Sequence, residues 1–289
     1  MPEPGAGLSS IQCQVLRTRY SVLKYMTTTL ADAADANLAT HFTWVQQQTA
    51  GMRVRRSDSL VLSDSGLPCD TFNAVCRARL ERDAAASAIR EAIDWFAERS
   101  HPFSWWVGPG DRPADLGQQL EQAGLEPAES ELAMAVDLDA LPGIDLAPNG
   151  LSIRRVNSPE ELREYARINA ANWSPPDLLV VEFYARAAPV ILDPASPLWL
   201  YLGYVDGVAV ATAELTVGGG VVGLYGISTL AAYRRRGYGS ALTARPLQDA
   251  REAGQQIAIL QAAPDGVGVY RRLGFQEFGR IREYKPSLV

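Results

Sequence analysis

The sequence predicts an α/β (α+β) chain made of two domains in tandem, and three features carry that expectation. At 289 residues the chain exceeds the ~100–200 residues that one domain usually takes. Its 47% hydrophobic content is ample for two cores. One order of elements also occurs twice: helix, strand, Pro/Gly turn, shorter helix, glycine, strand. In that repeat Gln122-Ala123-Gly124-Leu125 stands where Arg272-Leu273-Gly274-Phe275 stands later.

Residues 1–25 are Pro/Gly-rich and then mixed, and are expected to be a flexible extension. From Leu30 to Gln48 the recurrence of Leu30, Ala34, Leu38 and Phe42 predicts a helix. Strands are expected over Ser59–Leu62 and Phe72–Leu80, around the turn signals Asp64-Ser65-Gly66 and Leu67-Pro68. A helix over 84–99 presents Ile89, Ile93 and Phe96 on one face. It leads to a strand over 103–107, the turn Gly108-Pro109-Gly110, a helix over 114–123 stopped by Gly124, and a strand over 131–138. Leu141-Pro142-Gly143 and Pro148-Asn149-Gly150 then punctuate a polar linker. The boundary is placed near Ala147, giving domains over 26–146 and 147–289.

The second domain opens with a strand over 151–155 and a helix whose start is written in the sequence: Ser158 at N-cap, Pro159 at N1 and Glu161 at N3 form a capping box. A looser stretch, 173–197, holds a short amphipathic helix around 182–187. Strands over 199–205 and 208–216 meet at the hairpin signal Asp206-Gly207, and Gly218-Gly219-Gly220 turns the chain into an apolar strand over 224–230. A helix over 240–253, a strand over 256–262, a loop over 263–266, a short helix ending at Arg272 and a strand over 276–284 complete the chain.

A net charge of −6 and a sequence pI near 5.1, with no basic stripe, argue against a nucleic-acid partner and for a small one. Cys13, Cys69 and Cys76 lack C-x-x-C spacing and the only histidines are His41 and His101, so neither a disulfide framework nor a metal site is expected. No apolar run is long enough to span a bilayer and the first 25 residues lack the apolar core of a signal peptide, which points to a cytoplasmic protein without membrane contact.

The chemistry concentrates in Arg234-Arg235-Arg236-Gly237-Tyr238-Gly239, between the apolar strand and the helix from Ser240. Two glycines let successive backbone N–H groups turn inward, the helix start adds its positive dipole end, and guanidinium groups add charge, so a pyrophosphate suits the loop. The corresponding stretch of the first half, Arg77 to Ala86, has no glycine, and Glu81 and Asp83 would repel a phosphate. The first copy is therefore expected to be degenerate and non-catalytic, supporting the second and walling its acceptor cleft.

This segment resembles motif A of the Gcn5-related N-acetyltransferase (GNAT) superfamily, (Q/R)-x-x-G-x-(G/A), with Arg234, Gly237 and Gly239 at its three defining positions. A second stretch, Gln261-Ala262-Ala263-Pro264-Asp265-Gly266 followed by Val269-Tyr270-Arg271-Arg272-Leu273-Gly274-Phe275, is similar to the family's A-S-x-x-G-x-x-x-Y-x-x-L-G-F, with Ala263 where many relatives carry serine. The resemblance covers about Gly150 to Tyr284. It implies a tandem GNAT arrangement, each copy a mixed, mostly antiparallel central sheet flanked by helices, with acetyl-CoA (or another acyl-CoA or pantetheine thioester) as donor.

By the same resemblance, backbone groups of Ile227, Ser228 and Thr229 pair with the pantetheine arm where two strands splay beside a bulge. Arg234, Arg235, Arg236, Gly237, Tyr238, Gly239 and Ser240 hold the pyrophosphate, with Gly266 nearby. Tyr270 protonates the leaving thiolate; Glu214 and Tyr225 are candidate bases by position. Trp173, Asp177, Phe183, Tyr184, Glu283 and Tyr284 bound the acceptor, joined by Trp105 and Trp106 if the first domain closes over the cleft. The implied reaction is transfer of an acetyl group to the amine of a small molecule by direct attack, in a monomer or homodimer. Two alternatives stand beside it: an acyl group delivered on an acyl carrier protein, and a non-catalytic CoA-binding protein.

Overall fold

The computed structural model describes residues 30–141, 148 and 150–287. The extension expected over 1–25 and the boundary near Ala147 lie outside them. The first half contains α1 (30–43), β1 (Arg53–Arg56), β2 (Val61–Asp64), β3 (Ala74–Cys76), α2 (Arg82–Ala97), β4 (Ser104–Val107), α3 (Leu116–Gln122) and β5 (Leu125–Asp137). The second contains β6 (Leu151–Arg155), α4 (Pro159–Ala170), α5 (Leu178–Ile191), β7 (Leu198–Val205), β8 (Val208–Gly218), β9 (Val221–Thr229), α6 (Tyr238–Glu252), β10 (Ile257–Ala262), α7 (Val267–Arg272) and β11 (Gln276–Pro286).

The repeat read from the sequence is present as topology. The run β1-β2-β3-α2-β4-α3-β5 has the same order as β7-β8-β9-α6-β10-α7-β11, and in each the crossover helix joins two parallel neighbours, β3 to β4 and β9 to β10. The two sheets, however, are one. Eleven strands run in the order β1-β2-β3-β4-β11-β5-β10-β9-β8-β7-β6. The last strand of each half sits against a strand of the other: β5 pairs antiparallel with β10 and β11, and β11 pairs with β4.

Alternation along single strands fixes the layers. On β7, Leu200 and Leu202 pack under α4 and α5 while Tyr201 faces α6. On β2, Val61 faces α1 while Leu62 faces α2 and α3; on β10, Ile259 faces α1 while Ala258 and Leu260 face α6. Helices α1, α4 and α5 therefore cover one face, and α2, α3, α6 and α7 the other. Helix α1 lies across the seam, touching Cys76 and Val61 of the first half and Ile281, Val221 and Ile259 of the second.

Some elements differ from the sequence expectation for identifiable reasons. The strand expected over 72–80 stops at Cys76, because Arg77 takes a left-handed φ of +54°. Helix α5 begins at Leu178 because the Asp177 side chain accepts from the Leu179 N–H at 2.9 Å. Strand β5 begins six residues earlier than expected, at polar Glu126 and its neighbours, since pairing with β11 runs from Leu125 to Ala135.

Candidate active site

The donor side of the site begins where β8 and β9 lose register. Thr212 lies opposite Ser228 but Glu214 lies opposite Tyr225, so β9 carries one extra residue around Gly226, whose φ is +54°. Thr212 Oγ1 donates to the Gly226 carbonyl at 2.9 Å and holds the bulge. The buried Tyr165 hydroxyl, with no hydrogen-bond partner among the described residues, lies beneath it: a Cβ on Gly226 would stand 2.8 Å from that oxygen. On the other edge β9 pairs with β10 only as far as Leu224 opposite Leu260. Beyond that point β10 no longer pairs with β9, so the edge of β9 along Ile227, Ser228 and Thr229 is open on that side while β8 still pairs with Ser228 and Thr229 on the other.

The chain then makes a 3₁₀ turn, Ala231–Tyr233, and enters the arginine loop. Arg235 at φ +63° and Gly237 at φ +84° flank Arg236, an alternation that turns successive N–H groups toward one side. Only glycine holds the second of these positions without strain, and Gly237 is also the N-cap of α6 without a capping side chain. The N–H groups of residues 235–240 have no backbone acceptor among the described residues. A Cβ at Gly239 would meet nothing within 4 Å, so no atom of the described residues fills the space beside it. These features fit a diphosphate.

Within the loop the arginines divide in role. Arg234 Nε donates to the Thr229 carbonyl at 2.9 Å and braces the turn; Arg236 reaches the Ala232 carbonyl at 3.2 Å; the Arg235 side chain is exposed. Tyr238 buries its side chain in the core under α6 and leaves its backbone for an anion. The first half offers no equivalent. Leu80 N–H bonds the Arg112 carbonyl, Glu81 is the N-cap of α2, and Arg79 is ion-paired with Asp32, Asp35 and Asp111.

Tyr270 stands on α7 with its ring against Gly266 and half-buried. Burial, and then the charge of Glu131, push its phenol above the usual range, so it keeps its proton at neutral pH. Glu131 belongs to β5, the strand contributed by the first half.

On the opposite face of the bulge lies a cavity of about 230 Å³, bounded by α1, α4, α5, β8 and Gly226. Of the acceptor residues expected from sequence, Trp173, Phe183 and Tyr184 line it. Asp177 does not: it caps α5. Glu283 accepts from Ser104 Oγ at 2.6 Å and pairs with Lys285 at 3.3 Å, and it too is outside the lining. Trp105 is fully buried between the sheet and α2 and α3, and Trp106 packs on Phe42 of α1, so neither closes over the cleft.

Both candidate bases have neighbours that redefine them. Glu214 is 3% exposed, and its Oε1 meets His41 Nδ1 at 2.7 Å and Thr216 Oγ1 at 2.8 Å. The Tyr225 ring is stacked on His41, with centroids 3.9 Å apart, and its hydroxyl donates to Asn37 Oδ1 at 2.8 Å. Burial raises the Tyr225 phenol, opposed by a hydrogen bond from Gln261 and reinforced by the charge of Glu214, so it stays neutral. Asn37 in turn donates to the carbonyls of Thr216, Gly218 and Val221 at 2.9, 3.0 and 3.2 Å. Sequence reasoning set His41 aside with His101 once a metal was excluded. Its one local signal is the i, i+4 spacing of Asn37 and His41, two polar residues beside an apolar stripe.

Residues 160–275 match the family model described as the acetyltransferase (GNAT) family. That segment is a GNAT domain. Solved GNAT structures share its architecture across both halves. A GCN5-related N-acetyltransferase from Kribbella flavida is 23% identical with a TM-score of 0.68, covering 88% of this chain and 96% of its own. A tandem GNAT protein from the clavulanic acid biosynthesis pathway is 14% identical with a TM-score of 0.57, covering 82% and 83%. A GCN5-related N-acetyltransferase from Sphaerobacter thermophilus is 17% identical, also at 0.57, covering 79% and 80%. At these identities the likeness is one of fold. No curated protein matches the chain in sequence. The GNAT fold supports acyl transfer, and among the described residues no helix is long and apolar enough to cross a membrane.

Proposed function

We propose that the protein transfers an acetyl group from acetyl-CoA to the amine of a small molecule. The observation that carries this reading is the double role of one stretch of backbone. The bulge at Gly226 borders the gap between β9 and β10 and also lines the 230 Å³ cavity, so a donor groove and an acceptor cavity meet there. Acetyl-CoA, when bound, supplies an acyl carbonyl activated toward amines. The chain's part is to hold and to move protons. The N–H groups of residues 235–240, with Arg235 and Arg236, bind the diphosphate. The edge of β9 at Ile227 to Thr229 that β10 leaves open orients the pantetheine arm, and Tyr270 keeps a proton on its phenol oxygen for the departing sulfur.

Calorimetry with acetyl-CoA, followed by free-thiol release across a small-amine library, tests the proposal. Replacing Arg235 and Arg236 together with alanine is expected to weaken acetyl-CoA binding at least ~10-fold, since each lost charge-assisted contact is worth about 1.5–3 kcal/mol. Unchanged affinity, or no thiol release with any amine, would sink the reading.

A further inference from the structure

The cavity holds a hydrogen-bonded histidine–carboxylate pair whose two members come from different halves of the chain. We propose that His41, carried into the acceptor cavity by α1 of the first half, is the general base of the reaction, and that the acceptor is a compact aromatic primary amine bearing a second hydrogen-bond donor. The inference rests on the acetyltransferase reading above and names the base and substrate class of that same site.

Four observations converge. Glu214 takes the Nδ1 side of the imidazole at 2.7 Å, so Nε2 is left as the proton acceptor; it has no hydrogen-bond partner among the described residues. The imidazole is sandwiched against Tyr225 at an interplanar angle of 11°, which fixes the ring plane, and Thr216 Oγ1 holds the carboxylate that holds the ring. Imidazole is the side-chain base suited to work near neutral pH. The charged or titratable groups around it are Glu214 from β8, Tyr225 from β9 and Tyr184 from α5; burial raises both phenols and keeps them neutral. Among the lining residues His41 and Glu214 are therefore the one pair able to attract an ammonium group and relieve it of a proton.

The remaining walls describe the rest of the acceptor. Phe42, Phe72, Phe183, Tyr184, Val180 and Ile191 line the space, and Phe72 stacks on Phe183 at 3.7 Å. At about 230 Å³ the cavity falls below the ~300–1,000 Å³ of typical ligand pockets, which excludes sugars with long appendages and extended polyamines. One polar atom of the lining is unanswered: Gln46 is 3% exposed, and its Oε1 has no partner among the described residues while its Nε2 reaches the Phe72 carbonyl at 3.5 Å. A buried acceptor without a donor is costly, and a ligand hydroxyl or N–H would satisfy it.

The protons balance as follows. His41 Nε2 takes one proton from the bound ammonium and passes it to solvent. The nitrogen, once acylated, gives up a second proton, which replaces the one that the departing sulfur takes from the Tyr270 phenol. Each turnover thus releases one net proton. Glu214 acts through His41 and is a positioning residue.

The test uses the full chain, tyramine as an aromatic amine with a second donor, phenethylamine as the same amine without it, and putrescine as an apolar-chain diamine. Because His41 and His101 are the only histidines, imidazole NMR of the protein gives two ring signals that a His101→Gln variant assigns. Tyramine without acetyl-CoA is expected to move the His41 signals toward the imidazolium form and leave His101 unmoved. By calorimetry tyramine is expected to bind about 10-fold tighter than phenethylamine, a gap that Gln46→Leu abolishes, and putrescine to bind weakest. His41→Gln, which keeps a donor for Glu214, is expected to lower kcat about 10²- to 10⁴-fold with the KM for acetyl-CoA unchanged.

Silent His41 signals with bound amine, or wild-type kcat in His41→Gln, would overturn the base. Preference for putrescine would overturn the substrate class. In either case thiol release with some amine leaves the acetyltransferase reading standing, whereas acetyl-CoA binding without any thiol release removes that reading and this one together.

Discussion

Tyr270 and Gly237 show how far single residues answer for the site. The Tyr270 hydroxyl has no hydrogen-bond partner among the described residues, so Tyr270→Phe should leave acetyl-CoA affinity and the unfolding midpoint unchanged while kcat drops about 10²- to 10⁴-fold; steady-state assays beside calorimetry check this. Glu131 raises that phenol by its charge, and is itself pushed up to about 7 by burial and by Glu129 and Glu283. Glu131→Gln removes a negative charge that disfavours the phenolate, so the Tyr270 pKa should fall. The alkaline limb of the pH–rate curve should then move to lower pH. The left-handed glycine turn ahead of α6 and the place of Tyr270 on a short helix were legible in the sequence because both are local, a few residues of backbone at the start of a helix. His41 was not, because 173 residues separate it from Glu214 and nothing near either one announces the other.

Among the elements, α1 does more than cover the sheet. Its Asn37 ties down three carbonyls at the β8–β9 turn, and the close approach there depends on Gly219, where φ is +65° and a Cβ would collide with the Ala33 carbonyl. Asn37→Leu should cost about 1–3 kcal/mol, read by urea unfolding, for buried carbonyls left without a donor. Because the same residue anchors Tyr225 under His41, amine binding should weaken while acetyl-CoA binding is retained. The helices and most strands could be read from periodicity and caps, as at Ser158 and Gly124, which act within a few residues. Edge strand β1, with the sequence Arg-Val-Arg-Arg, and the polar first half of β5 could not, since their strand character comes from distant partners rather than from an alternating pattern.

For the molecule as a whole, stability should peak in mildly acidic solution. Burial raises the Asp35 carboxyl, opposed by Arg79, and raises that of Asp111, reinforced by Asp35. A carboxyl with a raised folded pKa binds its proton more tightly when folded, so its contribution falls as pH climbs from ~4, the unfolded value, toward neutrality and beyond. Asp64 has the opposite sign. Its burial is outweighed by the Gly66 N–H, Arg99 and His101, its pKa is lowered, and its contribution is lost as pH falls through the ordinary carboxylate range. Thermal melts across that range should show the maximum, and Asp111→Asn should flatten the alkaline side alone. The crossing of β5 and β11 has a further consequence, one of timing. Neither half can close its sheet until the other has delivered a strand, and β11 is later in the chain than every other element. Newly made chains should therefore stay sensitive to protease until that last segment docks, and then become resistant in one step.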